Sequence, residues 1–194
     1  MALHFIDFAF SDSVRSEQER FGTRAAYERM ENKEAFRNQL TWQEKEYIKG
    51  RDNFYVASVG ESGWPYIQYR GGPKGFLKVV GENRLAYADF KGNGQYISTG
   101  NFKANTKAVL FLMDYPRQQR LKIWAETQVL DPQEQPELLE QVIVPGYDAT
   151  VERIIAFQVL AFDWNCPQHI TPRYTLEEIQ DGTSPLNGEV LSSQ

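Results

Sequence analysis

The chain has 194 residues, 41% of them hydrophobic and 24% charged, with a formal net charge of -5. That is ordinary single-domain length with enough apolar side chains for a sizeable core, and no apolar run approaches the ~20 residues of a bilayer span, which excludes a helical membrane protein. The negative balance argues against general affinity for nucleic acid, and a single cysteine, Cys166, rules out an intrachain disulfide and fits a reducing compartment.

The opening "MALHFIDFAFSDS" has no basic leader before its short apolar stretch and no small-residue cleavage site, so a cytoplasmic location is expected rather than secretion. Weak helical patterning runs through "SVRSEQERFGTRAAYERMENKEAFRNQL", and residues 1–40 read as a helical extension or arm. At "LTWQEKEYIKGRD" a helix start is written into the letters: Thr41 can cap the free amides, Glu44 can return the bond, and Gly50 is placed to end the helix.

From Asn53 the pattern changes to short runs of Tyr, Val, Ile and Phe between glycine turns. "FYVASV", "PYIQYR", "FLKVV", "RLAYADF", "AVLFLMD", "RLKIWAETQVL" and "RIIAFQVLAFDW" each suit a half-buried or buried strand. "GESGW" and "GENR" are hairpin-length links with the glycine such turns need. The expected fold is mainly β with flanking helices, an antiparallel barrel or sandwich over residues 41–165. Two interruptions read as helical, "GQYISTGNFKAN" and "DPQEQPELLEQVIV", the second with Pro and acids in its first turn. Residues 166–194 hold three prolines and two glycines within "NCPQHITPRYTLEEIQDGTSPLNGEV" and read as an irregular tail lying on the domain.

Charge is unevenly distributed. Residues 70–122 carry ten Lys or Arg against three acids, leaving the remainder strongly negative. One zone that receives a small anion would produce this pattern, and so would a solvated barrel surface.

The corner "DFKGNGQYISTGN" has the form of a strand passing through a glycine turn into a helix N-terminus. Free amides, close-approach glycines and the donors Lys91, Gln95, Ser98, Thr99 and Asn101 suit a phosphate. The corner matches neither the P-loop nor the dinucleotide fingerprint, and a glycine turn capped by its own side chains is the structural alternative. In "YRGGPKGF", Arg70 and Lys74 flank two glycines at a strand exit, and "PRQQRLK" adds Arg117, Arg120 and Lys122. Aromatic neighbours (Tyr69, Phe76, Phe90, Tyr96, Trp124) suit a ligand with an anionic end and a flat apolar end, or else form core.

Self-sufficient catalytic sets are missing from the letters. Two histidines, His4 and His169, make no dependable metal site, no HExxH, CxxC or nucleophile-elbow spacing occurs, and a Cys166–His169 pair would be interrupted by Pro167. Chemistry, if present, would be carried by a bound cofactor.

The segments "RGGPKGFL", "ADFKGNGQYISTGN", "LFLMDYP", "RLKIW" and "NCPQHITPR", in this order, resemble the pyridoxamine 5'-phosphate oxidase-like FMN-binding proteins over about 120 residues. The resemblance implies a split β-barrel and a homodimer with FMN at the subunit interface. It places Arg70 and Lys74 where the family's strand basic residues meet phosphate or flavin ring, and Lys91, Gln95 and Ser98, with Phe90 beside them, in the phosphate corner. Arg120 falls where the family sets a polar side chain facing the flavin from a neighbouring strand or subunit. The C-terminal Arg-x-His pair with which the true oxidases grip pyridoxamine phosphate is not found; His169 and Arg173 stand at another spacing, and the resemblance does not carry vitamin B6 oxidation. The expected function is a flavin-dependent oxidoreductase acting on a small molecule, with His169 or Arg173 meeting an anionic or carbonyl substrate. The alternatives are a non-catalytic FMN-binding or sensing module and, in the same fold, a haem or deazaflavin ligand, haem being disfavoured by the two histidines.

Overall fold

The computed structural model describes residues 4–31, 39–164 and 166–182. Among the described residues, seven strands form one antiparallel sheet in the order β2-β1-β5-β6-β7-β4-β3. They are β1 (Asn53–Val59), β2 (Pro65–Gly71), β3 (Lys78–Val79), β4 (Arg84–Phe90), β5 (Lys107–Asp114), β6 (Gln119–Leu130) and β7 (Val151–Trp164). Helices are α1 (Phe5–Ala9), α2 (Asp12–Arg20), α3 (Arg24–Glu31), α4 (Trp42–Lys49), α5 (Ile97–Ala104), α6 (Pro136–Val142) and α7 (Leu176–Gln180). Among the described residues no helix is long and apolar enough to cross a membrane.

The sheet is rolled. In strand order β1 and β4 are separated by three strands, which on a flat sheet would hold them about 19 Å apart. Yet the Phe54 ring of β1 lies 5.6 Å from that of Tyr87 on β4 and 6.3 Å from Phe157 on β7. Only closure of the sheet on itself brings these side chains together, and the resulting core takes Phe54, Val56, Leu85, Tyr87, Leu110, Leu112, Leu121, Ile123 and Phe157 from the inner face. Alternation does the sorting: on β7, Ile155 and Phe157 point into the barrel, whereas Ile154 and Ala156 point out under α6, against Leu138 and Val142.

Closure is incomplete. Strand β3 pairs only Lys78 with Ala86 and Val79 with Leu85, so among the described residues Tyr87 to Phe90 of β4 have no strand neighbour on that side, and β2 is the opposite edge. The expected strand "FLKVV" is thus shortened to two residues. Gly75, at φ +77°, donates its amide to the Arg51 carbonyl, Phe76 donates to Pro73, and Phe76 and Leu77 turn inward as core instead of extending the ladder.

The capping box at α4 is present, with Thr41 and Glu44 satisfying each other's backbone amides and Gly50 as the C-cap. Glu44 is buried and also accepts from the Trp164 indole at 2.7 Å, pinning the helix to the end of β7. The weak helical pattern near the N-terminus resolves into α2 and α3, with a break at Gly22; its last part lies outside the described residues. Helix α1 seats Phe5 and Ile6 against Ala161 and Trp124. From Cys166 the chain runs without helix or strand to Thr175, where a capping box, Thr175 with Glu178, starts the short α7; the expected tail beyond residue 182 lies outside the described residues.

Candidate functional site

The gap between β2 and the unpaired half of β4 forms a cleft of about 230 Å³, roofed by the turn at residues 91–94 and the first turn of α5. Strand register decides which side chains enter it. Arg70 stands opposite Phe54 and Gln68 opposite Val56, so both share the inner face. Asp89 follows Leu85 and Tyr87 on the inner face of β4 and stands opposite Arg153 of β7. The barrel interior therefore changes from apolar to charged at this mouth.

Two guanidinium groups converge on one carboxylate. Arg70 Nη1 donates to Asp89 Oδ1 at 3.0 Å, and Arg153 Nε lies 3.6 Å from Asp89 Oδ2. Arg153 also donates through Nη1 to Thr99 Oγ1 at 2.8 Å and through Nη2 to Glu152. Its guanidinium lies 4.8 Å from the centre of the Tyr96 ring, whose hydroxyl donates to Glu152 at 3.1 Å. A register shift after Asp89 pairs Phe90 with Val151 and leaves Glu152 unopposed, which is why consecutive residues of β7 can both reach the cleft.

Burial is the largest influence on Asp89 and pushes its carboxyl above the ordinary value; Arg70 and Arg153 pull it down and Glu152 pushes it up, and the net direction is upward. Burial likewise drives the Tyr87 phenol upward, so it stays neutral.

The opening turn of α5 is open. Gly94 at φ +75° and Tyr96 at φ +52° place two left-handed residues in close succession, a geometry that glycine accepts readily and tyrosine does not. Among the described residues no side chain caps the helix, and Ile97, Ser98 and Thr99, whose amides have no acceptor within the helix, all line the cleft. The Ser98 hydroxyl donates to the Gln68 carboxamide, and the Gln95 amide donates to Asn93 Oδ1 at 3.1 Å.

An adjoining cavity of about 650 Å³ shares Arg70, Asp89 and Phe90 with the cleft and is lined further by Tyr69, Gly71, Gly72, Pro73, Phe76, Tyr87 and Tyr147. At Gly72 a Cβ would stand 2.8 Å from the Phe76 ring, so the bare backbone is what keeps that wall in place. Two buried polar atoms at the junction, Arg70 Nε and the Tyr87 hydroxyl, have no hydrogen-bond partner among the described residues. Cations, helix amides, unpartnered donors and aromatic walls meet here, which is the donor set a phosphorylated flat ligand requires.

Of the residues singled out from sequence, Arg70, Phe90, Gln95 and Ser98 meet at the cleft. Lys74 and Lys91 are exposed on the turns that flank it and line neither cavity. Arg120 is elsewhere in the protomer: the cleft adjoins the Leu130–Ile154 end of the β6–β7 ladder, whereas Arg120 is next to the Leu121–Trp164 end, roughly 30 Å along the strand. It pairs with Met113 on the outer face. His169 is exposed at φ +64°, and Arg173 lies over the Tyr115 ring at 5.0 Å, with the tail held to the β5–β6 turn by a 2.6 Å bond from Gln118 to the Ile170 carbonyl. Arg153 was not foreseen, and neither were Asp89 and Glu152 as its partners. Its only sequence signal was a charged pair at the start of an otherwise apolar strand.

The outer face of β2, β1 and β5 is apolar. Ile67 and Tyr69 are 64% and 56% exposed, and Ala57, Val59 and Val109 continue the surface.

The sequence matches no protein-family model and no curated protein. Solved structures do match. A candidate pyridoxamine 5'-phosphate oxidase of Lactobacillus delbrueckii superposes with a TM-score of 0.50 at 19% identity, over 65% of this chain and 94% of that one. HupZ of Group A Streptococcus gives 0.50 at 12% identity over 70% and 100%. An FMN-binding protein of Syntrophomonas wolfei gives 0.48 at 15% over 80% and 96%. The chain thus has the split-barrel fold of the pyridoxamine 5'-phosphate oxidase-like proteins; at these identities the likeness concerns fold.

Proposed function

We propose that this protein binds FMN, with the 5'-phosphate in the cleft under α5 and the ring in the adjoining cavity, and acts as a flavin-dependent oxidoreductase on a small molecule. The observation that carries this reading is the convergence of Arg70 and Arg153 with the uncapped N-terminus of α5 at one end of a cavity walled by Phe76, Tyr87, Phe90 and Tyr147. The order of the motifs and the shared fold support it.

The residues divide the work by position. Arg70 and Arg153 would clasp phosphate oxygens in paired hydrogen bonds, and the Ile97, Ser98 and Thr99 amides would add the helix dipole. Ser98 and Gln68, now bonded to each other, supply a hydroxyl and a carboxamide that can turn to the ligand. Gly71 and Gly72 let a ring approach the main chain, and the aromatic walls exclude water from it. FMN, when bound, supplies hydride or electron transfer at its ring. The apolar outer face of β2, β1 and β5 suits a second copy of the chain, and a homodimer is the assembly in which Arg120 and the 166–173 tail, remote from the cleft in their own protomer, would serve the partner's site.

The test begins with the purified protein. FMN released on denaturation and identified by mass is the expected result, with tighter binding of FMN than of riboflavin to the stripped protein. Full FMN affinity in folded Arg70→Ala and Gln95→Ala variants would refute the assignment. Mixing reduced holoprotein with quinones, dioxygen and nitro compounds separates the roles: oxidation by one acceptor supports an oxidoreductase, and inertness toward all of them leaves a binding module.

A further inference from the structure

The cleft that is to receive a phosphate is, in this state, electrically balanced. Arg70 and Arg153 bring two positive charges, and Asp89 and Glu152 bring two negative ones within bonding distance of them. A dianion entering at the α5 N-terminus leaves the shell with two surplus negative charges unless a carboxylate gives way. The two carboxylates differ in their freedom to do so. Glu152 has a side chain 21% exposed at the rim and can rotate outward. Asp89 is only 7% exposed, on a strand paired to β7, between Tyr87 and Phe90. It can be neutralised only where it stands.

We propose that Asp89 trades a proton for the ligand: when a phosphate dianion takes the Arg70 and Arg153 guanidinium groups, the buried Asp89 carboxylate accepts one proton from solvent, and binding carries that proton with it. The proposal rests on the reading above only in taking the cleft to receive a phosphate. The groups facing Asp89 are Arg70 from β2, Arg153 and Glu152 from β7, and the neutral Tyr87 phenol on its own strand, with Asp52 across the adjoining cavity. On binding, the two arginines that hold Asp89 ionised become shared with an anion that repels it, so its carboxyl rises further from a value that burial already lifts. Asp89 is on this account a specificity residue that makes the site favour its ligand at lower pH.

The sign follows from linkage. Protonation accompanies binding, so affinity for a dianion of fixed charge falls as pH rises, by up to tenfold per pH unit, between the Asp89 pKa of the free protein and that of the complex. Inorganic sulfate serves as the probe because its charge is constant over this range. The expected result is sulfate affinity that declines with pH in the wild type, and is tighter and flat in Asp89→Asn. Calorimetry in two buffers of different ionisation enthalpy should show close to one proton taken up by the wild type and none by the variant; FMN should show the same difference between the two proteins once its own phosphate titration, common to both, is subtracted. Equal pH slopes in both proteins, or weaker binding in Asp89→Asn, would overturn the proposal and make Asp89 an ionised group that positions the arginines. Should Asp89→Asn not fold, proton uptake near zero in the wild type is equally decisive. Sulfate binding with proton uptake but no FMN binding would defeat the flavin reading and keep this one, and binding of neither would defeat both.

Discussion

Arg153 at the start of β7 donates to the Thr99 hydroxyl in the first turn of α5 at 2.8 Å, while the same guanidinium faces Asp89 on β4. One side chain thus ties helix and two strands together at the cleft. Arg153→Ala removes a charge-assisted contact to any bound phosphate, worth about 1.5–3 kcal/mol, or roughly 10- to 150-fold in FMN affinity. Arg153→Lys keeps the charge but loses the paired geometry and should fall between. Quenching of flavin fluorescence measures both, and unchanged affinity in folded Arg153→Ala would remove this residue from the site.

Acid sensitivity should come from two carboxylates far from the cleft. Burial works to raise Glu44, but hydrogen bonds from Thr41 and Trp164 outweigh it and hold the carboxyl below its ordinary value. Asp114 also is lowered: burial opposes, and the Arg117 amide together with Arg51 prevails. Folded values below unfolded ones contribute stability that is complete above the ordinary carboxylate range and is lost as pH falls through about 4 and below. Urea unfolding between pH 3 and 7 should show this decline, shallower in Glu44→Gln and in Asp114→Asn, the latter costing about 1–3 kcal/mol at neutral pH. Asp89 runs the other way: its raised carboxyl contributes most below the ordinary Asp value and loses that contribution as pH rises through its folded value.

Closure of the barrel depends on the aromatic cluster, and Phe157 is central to it, meeting Tyr87 at 6.1 Å, Phe54 at 6.3 Å and Phe102 of α5 at 6.4 Å. Phe157→Ala should cost about 3–5 kcal/mol by denaturant titration. Because Phe102 positions α5, the same variant should lose FMN affinity without touching the cleft directly. A stability loss below 1 kcal/mol would show that the rolled sheet is held elsewhere.

The exposed pair Ile67 and Tyr69 on the edge strand gives the proposed homodimer a direct test. Light scattering should return twice the chain mass for the wild type and a shift toward one chain for Ile67→Asp, with the circular dichroism spectrum retained. A monomeric wild type would separate Arg120 and the tail from any site, since neither reaches the cleft of its own protomer.

What the letters determined is what depends on near neighbours in the chain. Six of the seven strands lie where alternation and β-branched or aromatic content placed them, because a strand's two faces are sorted residue by residue. The α4 cap was readable because Thr41 and Glu44 satisfy amides within one turn. The glycine corner before α5 was readable because Gly92, Asn93 and Gly94 stand together in the chain and mark a turn by their own backbone preferences. The tertiary structure alone decided the rest. Nothing local joins Arg70 to Asp89, or either to Arg153: their meeting requires the sheet to roll until β2 faces β4, and strand register to set Asp89 against Arg153. The same register carried Arg120 to the far end of β6, and it was the inward turn of Phe76 and Leu77 that shortened β3 and left open the gap in which the cleft lies. Side-chain type is a property of the sequence, but the distance between charges is set by how the sheet closes.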